Sequence, residues 1–291
     1  MLPSSATAVV FPGQGSQIDG MRDFVASARP DLLDAVVGLV GEDPFARVDA
    51  STRFAQPAIF CASLAGWGRL RGRVDPIALA GHSLGELTAL AAAGALDELD
   101  ALELVVLRGR LMAESGEASG GGTMLALLGG TPAQAAQLAA RHRVSLANDN
   151  APGQVVLSGA PEALAAVRTA ARADGLRAMD LDVAGAFHSP QMEAARAPFA
   201  AALARIAWQT PDVTVYSCAS AAPFSDPAAE LADALVRPVQ WRRTMEALVA
   251  AGADAVLDAG PGHVLAKLAR RCTPSIGAAS AATLLEAADV A

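Results

Sequence analysis

Charge, aromatic rings and lysine are all scarce in this chain. Of its 291 residues only 18% are charged and 4% aromatic, and Lys267 is the single lysine. Cysteine is nearly absent too: Cys61, Cys218 and Cys272 are odd in number, far apart and without metal-ligand spacing. That excludes a disulfide framework and argues against a metal site, leaving three reduced thiols. No stretch of about eighteen apolar residues runs uninterrupted, and the N-terminus lacks a basic start and cleavage site. A soluble, cytoplasmic protein is expected. The net charge of −8 comes with no basic stripe to neutralise phosphates, which argues against a nucleic-acid partner. What the chain has in plenty is aliphatic bulk, 53% hydrophobic by composition. It can bury a large core, as one big domain or one domain carrying an insertion.

The most informative stretch is Gly81-His82-Ser83-Leu84-Gly85-Glu86. Ile77 to Ala80 before it suits a buried strand, and Leu87 to Ala93 after it is dense in helix formers. A serine between two glycines on a strand-to-helix turn reads as a nucleophile elbow, with the helix N-terminus aimed at developing negative charge. An ordinary N-cap serine is the bland alternative. A serine hydroxyl needs a base, and the chain offers four histidines. His82 adjoins Ser83, where the turn points its side chain away, so packing or hydrogen bonding suits it better. His142 sits at a helix end between two arginines, on an expected solvated face. His263 follows a Gly-Pro-Gly turn and remains a candidate. His188, in Ala186-Phe187-His188-Ser189-Pro190, is the strongest.

Along the chain, a strand at 7–11 stops at the turn-rich Pro12 to Gln17, and helical segments follow at about 20–41 and 56–70. A long helix is expected from about Leu99 to Ala113, then a glycine-rich hinge over 116–122. Residues 123–184 read as strand, helix, strand, strand, helix, strand. This βαββαβ order is the ferredoxin-like arrangement, sized as an inserted subdomain. Helices near 191–206 and 228–251, strands at Val213 to Ser217 and Ala255 to Leu257, and a frayed alanine-rich tail complete the reading. Arg108 lies in a mostly apolar helical stretch, where a charge is costly unless it is partnered or snorkels outward.

Phe11 to Gln17, Gly81 to Glu86, Asn148 to Val156, Ala186 to Pro190 and Gly260-Pro261-Gly262 occur in one order. Taken together these motifs resemble the malonyl-CoA:acyl-carrier-protein transacylases and the polyketide-synthase acyltransferase domains, from residue 11 to about 271. The resemblance implies an α/β-hydrolase-like large domain, residues 1–121 and 185–291, with the ferredoxin-like subdomain at 122–184. It implies a catalytic dyad of Ser83 and His188, the histidine oriented by a main-chain carbonyl. That carbonyl falls on Ala234, where relatives carry Asn or Gln. It implies an oxyanion hole from the N–H groups of Gln14 and Leu84, and a bidentate clamp by Arg108 on the malonyl carboxylate. Asn148 and Asn150 are placed near the thioester and pantetheine. Phe187 is placed as a selectivity residue whose ring would crowd an α-methyl group, and Gly185-Ala186 departs from bulkier residues in relatives, which leaves unusual acyl groups open.

The function so implied is ping-pong transfer of malonyl from malonyl-CoA to the phosphopantetheine thiol of an acyl carrier protein. No cofactor is needed, and a free-standing monomer is expected. Fatty-acid synthesis, polyketide synthesis and a malonate-processing complex are all compatible. Arg237, Arg242, Arg243, Lys267, Arg270 and Arg271 form the obvious basic concentration for an acidic carrier, or else a solvated face. Four alternatives stay open: an acyl hydrolase of the same fold, a transacylase with a non-malonyl substrate, a general hydrolase with a Ser83, Asp258 and His263 triad, and a non-catalytic docking subunit.

Overall fold

The computed structural model describes residues 6–282. The large lobe is built on a sheet of β1 (Thr7–Phe11), β2 (Ala78–Gly81), β7 (Val215–Ser217), β8 (Ala222–Pro223), β9 (Ala255–Asp258) and β10 (Gly277–Ser280). Their order is β10-β9-β1-β2-β7-β8, parallel throughout except for the antiparallel β7–β8 hairpin. Short strands in a parallel sheet must be apolar on both sides because helices cover both faces. Alternation assigns each residue: Val9, Phe11, Leu79 and Leu257 enter one core, while Ala8, Val10, Ala80 and Val256 enter the other. The first face carries α1 (Met21–Ala28), α2 (Pro30–Val40), α3 (Thr52–Leu70), α4 (Gly85–Ala92), α5 (Glu98–Ala118), α8 (Glu193–Leu203) and α9 (Pro227–Ala234); the second carries α10 (Trp241–Ala250) and α11 (Val264–Cys272). Among the described residues, no helix is long and apolar enough to cross a membrane.

The small lobe comprises β3 (Thr123–Leu128), α6 (Pro132–His142), β4 (Ser145–Ala151), β5 (Gln154–Gly159), α7 (Pro161–Ala173) and β6 (Arg177–Leu181). Its sheet has the antiparallel order β4-β5-β3-β6, the ferredoxin-like topology expected of βαββαβ. Leu125, Leu127, Val155 and Leu157 pack on α6 and α7, while Met124, Ala126 and Val156 face the large lobe's core. Local chemistry sets the helix starts: Thr131 and Gln134 form a reciprocal capping box ahead of α6, and Asp97 accepts from the Leu99 and Asp100 N–H groups at α5. The lobes are stitched where Asp149 N–H donates to the Val239 carbonyl at 2.8 Å and Val239 N–H to the Ala147 carbonyl at 2.8 Å. Arg242 adds an ion pair to Asp149 at 2.8 Å.

Several expected elements are revised. The helix at 20–41 is two, α1 and α2, divided at Arg29 by Pro30, which starts the second. The helix at 228–251 breaks into α9 and α10 around Pro238, whose missing N–H ends the first. Helix α3 starts earlier than expected because Ser51 caps it and Pro57 sits inside it. The glycine-rich hinge begins later: α5 runs through Ala118, and Gly120 and Gly121 take positive φ. Part of the supposedly frayed tail is β10, an edge strand on β9; the rest of that reading, residues 283–291, lies outside the described residues.

The elbow rests on two close backbone approaches. A Cβ on Gly81 would lie 1.9 Å from the Gly85 carbonyl carbon, and one on Gly85 would lie 2.0 Å from the Phe11 carbonyl oxygen. Gly81→Ala should therefore cost about 3 kcal/mol or yield insoluble protein, since backbone cannot move aside as a side-chain tip can. Gly68→Ala, on an exposed face of α3 with nothing near the added methyl, should stay within about 1 kcal/mol of the parent by urea denaturation.

Candidate active site

Ser83 sits at φ 54, the left-handed region that a strained elbow imposes, and its Oγ lies 2.8 Å from His188 Nε2. Its own N–H donates to the Cys218 sulfur at 3.4 Å, which turns that donor away from the substrate side. His188 also has a positive φ, 56, so both reacting residues are held in conformations side chains rarely adopt. Its Nδ1 faces the carbonyls of Ala234 at 2.9 Å and Arg237 at 3.1 Å. With Nδ1–H directed at two acceptors, Nε2 is left as the acceptor of the serine proton. Burial, and secondly the positive charge of Arg108, pushes His188 down to about 3, so the ring is neutral at physiological pH.

Arg108 reaches this point from α5 and is 3% exposed. Nη1 donates to Gln56 Oε1 at 2.7 Å and Nη2 to Ser83 Oγ at 3.1 Å. Gln56 is itself fixed, its Nε2 donating to Thr52 Oγ1 at 2.8 Å. Burial lowers Arg108 to about 10, which leaves it charged at neutral pH. Behind the elbow, the Glu86 carboxylate accepts from Cys218 N–H at 2.8 Å and Ser217 Oγ at 2.9 Å, tying α4 to the end of β7. Burial raises it to about 7.

Ser83, His188, Arg108 and Gln56 line a cavity of about 330 Å³ between the lobes, together with Gln14, Leu84, Phe187, Asn148 and Asn150. The Gln14 loop is pressed on the elbow, for a Cβ on Gly13 would lie 2.7 Å from the His82 carbonyl oxygen. Asn150 is held by His82, whose Nε2 lies 2.8 Å from its Oδ1 and whose ring packs on Trp241 at 5.3 Å. Every residue expected at the site thus lines the cavity or, for Ala234, aligns a lining side chain. Gln56, Glu86, Cys218 and the Arg237 carbonyl were missed. A glutamine within the apolar stretch from Phe54 to Cys61 was the one available signal for Gln56; a carbonyl leaves none.

The other candidates fall elsewhere. His263 is exposed and outside the cavity, and Asp258 is spent accepting from the N–H groups of Gly260, Leu265 and Ala266. A triad through them is ruled out. His142 is half-buried, with its Nε2 buried and unpartnered, so it does not lie on a solvated face. In the basic concentration, Arg242 is neutralised by Asp149 and Glu246, whereas Lys267, Arg270 and Arg271 are exposed. Among the described residues no cluster of three or more His, Cys, Asp or Glu side chains is arranged to hold a metal ion.

Such a site can move an acyl group from an activated thioester onto a serine, and its guanidinium favours groups with an anionic end. This defines an acyl-transfer enzyme. The chain belongs to the acyl transferase domain family, which matches residues 35–287, and within it to the malonyl-CoA:acyl carrier protein transacylases. The malonyl CoA-acyl carrier protein transacylase of Salmonella typhimurium is 36% identical over 294 residues, covering 94% of each chain. The crystal structure of the transacylase of Xanthomonas oryzae superposes with a TM-score of 0.90 at 33% identity, over 99% of this chain and 98% of that one. A malonyl-transacylase in complex with its type II polyketide acyl carrier protein, AntF, matches with a TM-score of 0.88 at 32% identity, over 97% and 100%.

The buried His188 has a kinetic signature. Its neutral form is lost only as pH falls towards about 3, so kcat/KM for acylation should stay flat between about pH 4.5 and 6.5. An imidazole of ordinary pKa would lose about tenfold or more over that span. Stopped-flow acylation across this range checks it.

Proposed function

We propose that the chain transfers a malonyl group from malonyl-CoA to the phosphopantetheine thiol of an acyl carrier protein through a malonyl-Ser83 ester. The observation that carries this is the buried Arg108 guanidinium 3.1 Å from Ser83 Oγ. A desolvated cation at the reacting oxygen calls for a substrate that brings its own carboxylate, which guanidinium grips bidentately.

In the first half-reaction His188 Nε2 takes the Ser83 proton while Oγ attacks the thioester carbonyl carbon. The oxyanion of the tetrahedral intermediate is received by the Gln14 and Leu84 N–H groups, each such donor worth about 3 kcal/mol. The C–S bond breaks, and the CoA sulfur leaves with the proton from His188. In the second, the carrier thiol gives its proton to His188 and attacks the ester; the C–O bond breaks and Ser83 recovers the proton. The Ala234 and Arg237 carbonyls stabilise the imidazolium formed in between, as an acidic third residue would. Asn148 and Asn150 are suited to hydrogen-bond the thioester and pantetheine arm. No cofactor enters this scheme. The reading takes the two lobes as domains, 1–121 with 185–291 and 122–184, and the protein as a cytoplasmic monomer.

With radiolabelled malonyl-CoA, the wild-type enzyme should be labelled and pass the label to added carrier protein. Ser83→Ala should take up none. Arg108→Ala should lose about a hundredfold in malonyl loading, as expected for a charge-assisted bidentate pair of about 3 kcal/mol, while acetyl loading is spared. Label released to water and never to carrier would instead mark a hydrolase. Lys267 and Arg270 are two of the exposed cations offered to an acidic carrier; reversing both should raise the carrier KM severalfold and leave malonyl-CoA loading intact.

A further inference from the structure

The strand order sets the Gln14 loop between two others. It leaves β1, whose neighbours are β2, which runs into the elbow, and β9, which runs into the Gly260-Pro261-Gly262 turn. On the elbow side, a Cβ on Gly13 would lie 2.7 Å from the His82 carbonyl oxygen, and one on Gly85 would lie 3.1 Å from the Pro12 carbonyl oxygen. On the other side, a Cβ on Gly260 would lie 2.0 Å from Pro12 Cγ and 2.2 Å from Cδ. The same turn meets the loop again further on, since a Cβ on Gly262 would lie 3.3 Å from Ile18 Cγ2 and 3.4 Å from the Ser16 carbonyl oxygen. Gln14 lies between these two grips. The turn itself is pinned by the fully buried Asp258. Its Oδ1 accepts from the Gly260 N–H at 3.2 Å, and its Oδ2 from the Leu265 and Ala266 N–H groups at 2.9 and 3.2 Å. One carboxylate thus fixes both ends of the segment between β9 and α11.

We propose that Asp258 is a positioning residue for the oxyanion hole: through the Gly260 turn and Pro12 it holds the Gln14 N–H against the elbow, in register with the Leu84 N–H. This rests on the malonyl-transfer reading above. The two donors come from different segments, Leu84 from the elbow between β2 and α4 and Gln14 from the loop after β1. Ser16 Oγ donates to the Gly13 carbonyl at 2.8 Å and the Gly15 N–H to Gln17 Oε1 at 2.8 Å, but these two bonds tie the loop to itself. Its distance from the elbow is set by contact from behind, where the Gly260 main chain bears on a rigid proline ring. Close-packed contacts of this kind transmit a shift of one side to the other. A carboxylate is acceptor-only and can serve all three N–H groups, whereas an amide of the same size has one acceptor and turns an NH₂ towards the rest. Asp258→Asn therefore slackens the turn. An error of about 1 Å at the reacting groups costs on the order of a hundredfold, as does loss of a whole donor, so partial slackening should cost about tenfold.

The test is the kinetics of Asp258→Asn, with rates referred to Ser83 sites titrated to completion by radiolabelled malonyl-CoA. The kcat for malonyl loading should fall about tenfold while KM for malonyl-CoA stays within about twofold. Acetyl loading, and transfer of malonyl from the enzyme to carrier protein, should fall by the same factor, because one oxyanion hole serves every tetrahedral intermediate. Pro12→Ala removes the ring atoms that face Gly260 and should show the same fall. Adding Asp258→Asn to it should lower kcat by less than about twofold more, since the pin then has nothing to press on. If Asp258→Asn is insoluble, Pro12→Ala decides, and a wild-type kcat in that variant overturns the inference. An Asp258→Asn enzyme with a lower Tm but wild-type kcat per titrated site, a fall confined to malonyl, or losses that multiply in the double variant would each overturn it too. Wild-type enzyme that takes up no malonyl would overturn the transfer reading instead.

Discussion

The rest of the site is arranged around one costly placement, the Arg108 guanidinium buried beside the reacting oxygen. Among the described residues no carboxylate forms an ion pair with it. Gln56 and Ser83 supply neutral acceptors, and the Glu86 charge lies near enough to favour the cation without touching it. A buried cation with only neutral contacts is an unfinished interaction, completed when an anionic substrate arrives. The same charge helps keep His188 unprotonated, so one residue serves both recognition and the readiness of the base.

That placement depends on scaffolding which is mostly backbone. Gly81 and Gly85 let the elbow turn against β1. The Ser83 N–H is occupied by Cys218, and Glu86 anchors the elbow helix to β7. Two carbonyls from the end of α9 and the segment after it fix the imidazole tautomer. The strain of two positive-φ residues at the point of reaction is sustained by a sheet whose strands are packed on both faces. The small lobe closes the other side of the cavity, and its ties through Ala147, Asp149 and Val239 hold Asn148 and Asn150 in place.

Much of this was legible in the residues. The elbow could be read because its glycines are demanded by local sterics, and α6 because Thr131, Pro132 and Gln134 form a start signal with a mechanism. The βαββαβ order followed from periodicity alone. The helix breaks at Pro30 and Pro238 were overlooked although proline announces them, because apolar residues continue on both sides. β10 was missed because Gly277 to Ser280 has no strand propensity; pairing with β9 makes it a strand.

Sequence by itself determined which chemical groups are available: a serine on a tight turn, a histidine in a distant segment, an arginine in an apolar helix, and the order of strands and helices that carries them. These are local properties, set by sterics and by hydrophobic period. Only the tertiary structure decided that Arg108 touches Ser83, that Gln56 holds Arg108, that Asp258 is consumed by α11, and that the Gly260 turn lies against Pro12. Those facts concern residues far apart in the chain, and they arise where packing brings backbone from separate elements within contact distance, which no local pattern encodes.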